Sequence, residues 1–211
     1  MADPSSEEFL KPYRQALRRF GPTFEAMLWG SRETQLLRFD VMIELAGFAE
    51  CAILDAGCGK GDFAAHLLQR GVEFERFVGM DALDEMIEAA AARRLERCTF
   101  QTRDVLAQPQ AMAEAKADFI CFSGTLNTMD EAIARGLIGR AYHAAAQGVV
   151  FNFLSDRVHR RWADRDLGPA HRFNTAAWLD WSLDLSTCIS FTQDYLDGHD
   201  ATILIRHDER G

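Results

Sequence analysis

The chain has 211 residues, 48% of them hydrophobic and 26% charged, and a formal net charge of −9. That size and balance suit one soluble globular domain with a sizeable core, and no apolar run approaches the ~18–20 residues of a membrane span. The acidic total disfavours nucleic-acid acceptors, which are gripped through a basic footprint, and leaves a small molecule as the favoured partner.

The opening MADPSSEEFLKPYRQ has acids where a signal peptide carries a basic and then an apolar stretch, so the cytoplasm is the expected compartment. Residues 7–20 and 33–47 read as amphipathic helices. The second has Leu36, Leu37, Val41, Ile43, Leu45 and Ala46 as its apolar face and Gly47 as its stop. Together they form an expected helical cap over residues 1–48, ahead of an alternation that fills 49–211. CAILDAG (51–57) reads as a buried strand and DFAAHLLQR (62–70) as a helix. FERFVGMD (74–81) is the next strand and LDEMIEAAAARR (83–94) the next helix, with Asp84 as its N-cap. Further strands fall at 98–104, 117–123 and 148–154, with a helix around 130–146 between the last two. Residues 187–207 hold two strand-like runs about LDGHD, a hairpin signal rather than a crossover. Strands alternating with helices imply an α/β fold: a doubly wound, mostly parallel sheet covered on both faces.

The cysteines at 51, 58, 98, 121 and 188 form no C-x-x-C pair, and four of the five sit in or beside apolar runs. Neither a zinc site nor a disulfide framework is expected, and buried thiols are.

The stretch ILDAGCGKGDF (53–63) sets three glycines at alternate positions after an aspartate, at the exit of the first strand of the alternation. Glycine there brings a ligand against bare backbone, at the edge where open α/β sheets bind. The dinucleotide fingerprint needs Gly or Ala three residues after its second glycine, and that position is Asp62. The phosphate loop fails as well, because Lys60 lies between glycines with no Ser or Thr after it.

Asp55-Ala56-Gly57-Cys58-Gly59-Lys60-Gly61 resembles motif I, D-x-G-x-G-x-G, of the class I S-adenosylmethionine-dependent methyltransferases. The resemblance spans about residues 50–207. It implies a Rossmann-like sheet of seven strands with an antiparallel last strand, and S-adenosylmethionine as cofactor, leaving S-adenosylhomocysteine as product. Asp81, ending the second strand, is implied to take both ribose hydroxyls, followed by Ala82 and Met86. Asp104 and Val105 match the adenine contact. Ser123 and Gly124 in ADFICFSGTLN match the mouth beyond the fourth strand. Asp55 is expected to organise the N–H groups of the loop.

The lead-in MLWGSRETQLLRF (27–39) resembles that of a small bacterial subgroup of this family whose acceptor is unknown. Trp29 offers a flat apolar surface over the cofactor, and Arg38 a fork of donors for the methionine carboxylate. Methyl transfer from a sulfonium needs alignment more than acid–base machinery, so no catalytic residue is readable. His159, His171 and Tyr195 are the candidates for touching the acceptor. The arginines of 156–172 offer an anion site or a solvated face. The N-P-P-[YFW] loop and the Pro-Cys nucleophile have no counterpart in the sequence, and no metal constellation is seen. The expected function is methyl transfer to an oxygen or nitrogen of a small molecule. The alternatives are an inactive cofactor-binding partner and an NAD-dependent oxidoreductase.

Overall fold

Ala52–Ala56 (β1) is buried along its whole length, as a central strand covered on both faces must be. In this computed structural model, which describes residues 4–208, β1 pairs in parallel with Arg76–Asp81 (β2) and Phe119–Phe122 (β4). Cys98–Thr102 (β3) lies beyond β2 and Gly148–Leu154 (β5) beyond β4, both parallel. Asp200–Arg206 (β7) runs antiparallel to β5, and Ile189–Thr192 (β6) forms the outer edge against it. The order β3-β2-β1-β4-β5-β7-β6 is the expected seven-stranded, mostly parallel sheet with an antiparallel last strand. It reverses direction between β1 and β4, the switch point where such sheets leave a crevice beyond their carboxyl ends.

The helices are Pro4–Phe20 (α1), Arg32–Ala46 (α2), Asp62–Gln69 (α3), Asp84–Ala92 (α4), Gln110–Glu114 (α5), Glu131–Ala144 (α6), Arg160–Ala163 (α7) and Thr175–Leu185 (α8). Strand side chains alternate between faces. Ile53, Phe77, Phe119 and Val150 therefore meet Phe39 and Met42 of α2 and Phe63 and Leu67 of α3. Leu54, Met80, Phe122 and Phe151 meet Leu137 and Ile138 of α6 and Trp178 of α8 on the other face. Helix α1 meets the second of these layers through Phe9. Its Ala16 and Leu17 pack on Leu83 and Met86 at the start of α4, which carries α1 across the exits of the strands. No described helix is long and apolar enough to cross a membrane.

Gly47 ends α2 as expected, in the left-handed region at φ 76°, its N–H on the Ile43 carbonyl. Other details differ. Leu83, not Asp84, stands at the cap of α4; the Leu83 N–H is met from outside the helix by Asp81 Oδ1 at 3.0 Å. Helix α8 has no counterpart in the sequence reading, although its signals are there: Asn174 accepts from the Ala177 N–H at 2.9 Å, and Trp178 and Ser182 share the buried side one turn apart. The short α5 and α7 are likewise additional. Strand β6 stops at Thr192, and Tyr195 lies in the connection to β7, ahead of a single turn of 3-10 helix at Leu196–Gly198.

Candidate functional site

The β1 exit is built almost wholly from backbone. The N–H groups of Gly57 and Cys58 both donate to the Met80 carbonyl, at 2.8 and 3.0 Å, and that of Gly59 to Asp81 Oδ2 at 2.9 Å. Asp81 thus ties the turns after β1 and β2 together with one oxygen each, and each oxygen keeps a lone pair for a ligand. Gly57 sits at φ 85°, and a Cβ there would come within 2.6 Å of Thr125 Oγ1. Any side chain there is strained and must displace Thr125.

Asp55 does not organise this loop. Its alternation with Ile53 turns it to the α3 face of the sheet, and Oδ1 has no hydrogen-bond partner. Burial, reinforced by the charge of Asp81, pushes its pKa up to about 8. Burial also raises the pKa of Asp81, against the pull of its backbone donors. Asp62 is different: burial pushes its pKa up, but Lys60 at 2.8 Å and Arg93 at 2.7 Å hold it below the ordinary value. Its Oδ2 is left without a partner. Asp104 spends Oδ1 on the N–H groups of Leu106 and Ala107, at 3.0 and 3.2 Å, which turns the chain out of β3.

These groups enclose a cavity of about 870 Å³, open mouth included. Asp55, Gly57, Cys58 and Gly59 line it from β1, Asp81, Ala82 and Met86 from β2 and α4, and Asp104 and Val105 from β3. Ser123 and Gly124 line it from β4, and Trp29 from the connection between α1 and α2. Ala56 and Gly61 do not reach it. Ala56 is fully buried, its carbonyl taken by Thr125, and Gly61 is held against Phe100. Phe9, Leu10 and Tyr13 of α1 close the cavity from above. The expected helical cap thus includes α1, although none of these three residues was singled out in the sequence.

Trp29 forms a partition. Its ring lies so close over Gly124 that a Cβ there would collide with it, its edge meets Phe39 at 6.4 Å between centroids, and the Arg38 guanidinium covers it at 4.9 Å. Beyond the partition is a second cavity of about 1250 Å³, open mouth included, which shares Tyr13, Met27, Trp29 and Gly124 with the first.

Arg38 belongs to this second space and does not reach the first. Its fork is filled by Asp200, Nε to Oδ1 at 2.7 Å and Nη2 to Oδ2 at 2.6 Å, and Nη1 donates to the Thr34 carbonyl at 3.0 Å. With every side occupied, the expected pairing with a methionine carboxylate is replaced by a buried ion pair. The three acceptor candidates also miss. His159 caps α7, its Nδ1 accepting from the Arg161 N–H at 3.3 Å. The backbone of His171 is bonded on both sides to Asn127. Tyr195 is buried with its hydroxyl on Thr202 at 2.6 Å. None lines either cavity.

His199 and Asp200, at the head of β7, line the second cavity instead. Burial first, then Arg172, Arg38 and Arg165, lower the pKa of His199 to about 4, so the ring is neutral. Burial pushes that of Asp200 up against the pull of Arg38. Neither stands in a motif. They reach the site only through the return of β7 beside β5.

The sequence of residues 53–148 matches the family model described as a methyltransferase domain. No curated protein matches the chain. Magnesium protoporphyrin IX methyltransferase from Synechocystis PCC 6803, solved with bound SAH, is 14% identical, with 96% of this chain and 100% of that one covered at a TM-score of 0.65. An O-methyltransferase family protein from Burkholderia thailandensis is 18% identical over 89% of this chain and 59% of that one, at 0.67. The small RNA methyltransferase HEN1 is 12% identical over 82% of this chain and 25% of that one, at 0.65. Such identities establish a shared fold.

Proposed function

We propose that this chain is a class I, S-adenosylmethionine-dependent methyltransferase, a reading supported by the methyltransferase-domain match over residues 53–148 and by the shared fold, and that it transfers a methyl group to an oxygen or nitrogen of a small molecule. The observation that carries this is the pair of cavities meeting at one wall of Tyr13, Met27, Trp29 and Gly124. One is framed in backbone and carboxylates, the other in aromatic and cationic side chains.

The first cavity fits the cofactor. The loop at Gly57 and Gly59 offers bare backbone, and Asp81 offers two oxygens to a ribose diol. Asp104 and Val105 stand where an adenine would be met. Asp55 and Asp62 also line it. When bound, S-adenosylmethionine supplies an electrophilic methyl on a sulfonium with a neutral thioether as leaving group. The protein's share is alignment and exclusion of water. Tyr13 and Phe9 cover the mouth, and Trp29 with Gly124 sets the gap through which the two spaces face each other.

The fold itself does not choose the acceptor, since one similar protein is described as acting on magnesium protoporphyrin IX and another on small RNA. The net charge of −9 supports a small molecule over a polyanion. Incubation of the protein with methyl-labelled S-adenosylmethionine and a metabolite extract tests this. New labelled small molecules are expected. Label confined to RNA or protein, or no transfer at all, contradicts the proposal.

A further inference from the structure

An acceptor that arrives protonated needs a base beside it, and the second cavity is poorly supplied with one. Asp200 has both oxygens in the fork of Arg38. The Nδ1 of the neutral His199 faces an Arg172 nitrogen at 3.1 Å, so it accepts there and the other ring nitrogen carries the hydrogen. Tyr13 is a phenol made less acidic by burial. Asp166 is exposed, with one oxygen on the Gly168 N–H at 2.8 Å.

The cations are better placed. Arg165 lies on the face of Trp162, 4.8 Å from the ring centre, with Nη2 beside Gly30. Among the described residues it has no carboxylate within ion-pairing reach. The segment that carries it is clamped over the cavity. Arg172 donates to the Trp162 carbonyl at 2.8 Å, Trp162 stacks on His199 at 4.4 Å, and Arg161 pairs with Asp197. Asn127 fastens the far end through His171. An exposed guanidinium without a counter-ion among the described residues thus stands at the rim of a cavity walled by Tyr13, Trp29, Trp162 and His199.

We infer that the acceptor is a small aromatic acid whose nucleophile is an already ionised oxygen, a carboxylate or an acidic phenolate, and that Arg165 is its anion contact. This rests on the methyl-transfer reading. The electron pair of the ionised oxygen forms the new O–C bond, the pair of the breaking C–S bond stays on sulfur, and no proton moves. That reaction needs no base, whereas methylation of an ammonium needs one, and the one carboxylate of this cavity outside the Arg38 pair, Asp166, is exposed. Arginine's fork matches a carboxylate in plane, and the aromatic walls offer flat apolar area to the ring.

The test uses the full chain saturated with S-adenosylhomocysteine and titrated by calorimetry with benzoate, salicylate, benzyl alcohol and benzylamine. Product from S-adenosylmethionine is read by mass spectrometry. Benzoate or salicylate is expected to bind and be O-methylated, and the alcohol and amine are not. Arg165→Gln is expected to weaken the anions about tenfold, the low end for a hydrogen bond to a charged group. S-adenosylhomocysteine affinity and the melting temperature should stay unchanged, and Arg165→Lys should restore part of the loss. If the wild type binds S-adenosylhomocysteine but neither anion, or binds benzylamine as tightly, the inference is overturned while the cofactor reading stands. Equal anion affinity in Arg165→Gln overturns the role of Arg165. A wild type that fails to bind S-adenosylhomocysteine overturns both readings.

Discussion

The two cavities share a wall and are built in opposite ways. The first is assembled from consecutive turns at the exits of β1, β2 and β3, where backbone N–H groups and carbonyls fix one another and Asp81 bolts two turns together. The second is assembled from side chains brought from opposite ends of the chain, with Arg38 and Asp200 as its central tie. A site made of backbone tolerates side-chain variation and depends on a few glycines and one carboxylate. A site made of side chains changes with each of them, and with it the ligand it admits.

If that contrast is right, the largest loss of stability comes from the second cavity. Arg38→Met leaves Asp200 buried without its partner and should cost about 3–5 kcal/mol, since the two side chains are 7% and 3% exposed. Pairing it with Asp200→Leu should recover most of the loss. Urea unfolding of the single and double variants measures both, and a single variant within 1 kcal/mol of wild type, on the order of an exposed pair, would place the contrast in error.

Next comes Asp81. Asp81→Ala should weaken S-adenosylhomocysteine binding by about 1.5–3 kcal/mol, roughly ten- to a hundredfold. It should also lower the melting temperature, because the Gly59 and Leu83 N–H groups lose their acceptor. Asp81→Asn should lose less of both. Calorimetry and thermal melts on the same samples decide it; unchanged affinity would remove the ribose assignment.

At the shared wall, Gly124→Ala puts a methyl into the Trp29 ring at φ 68° and should cost about 1–3 kcal/mol as overpacking. Trp29 fluorescence should shift, and binding in both cavities should fall. A change confined to one side would mean that Trp29 does not divide them.

The effect of Asp55 is of another kind, seen as a slope with pH. Its folded pKa, about 8, lies above the ~3.9 of a free aspartate. The native state therefore keeps a proton that the unfolded chain releases, and stability falls as pH rises from about 4 to 8 and levels off above. Asp55→Asn should match wild type near the acidic end of that window and gain on it toward the alkaline end. Melts across the pH range that stay parallel would show Asp55 to be ionised in the fold.

The same contrast explains what could be read from the sequence. The parallel strands, the glycine loop and the places of Asp81 and Asp104 at strand exits were legible because local chain geometry at a strand exit leaves its mark in consecutive residues. Gly47 ended its helix for the same local reason. Asp55 misled because the pleat of β1, not proximity in sequence, decides where its carboxylate points. Arg38, His199, Asp200 and the α1 residues Phe9, Leu10 and Tyr13 take their positions from tertiary contacts. A fork of donors at Arg38 was visible, but its partner 162 residues away was not. His159 and His171 were chosen because they flank the segment after the fifth strand and Tyr195 because it follows the sixth, and none lines a cavity: His159 caps a helix, the His171 backbone is tied to Asn127, and the Tyr195 hydroxyl is paired with Thr202.

The central claim is that cofactor and acceptor occupy separate spaces and meet at Trp29 and Gly124. A crystal structure of the protein with S-adenosylhomocysteine tests it most directly. The expected electron density has the ribose on Asp81, the adenine beside Asp104 and Val105, and the sulfur facing the second cavity across Trp29 and Gly124. Density for the nucleoside among Trp162, His199 and Arg165, or a sulfur turned away from that wall, would contradict it.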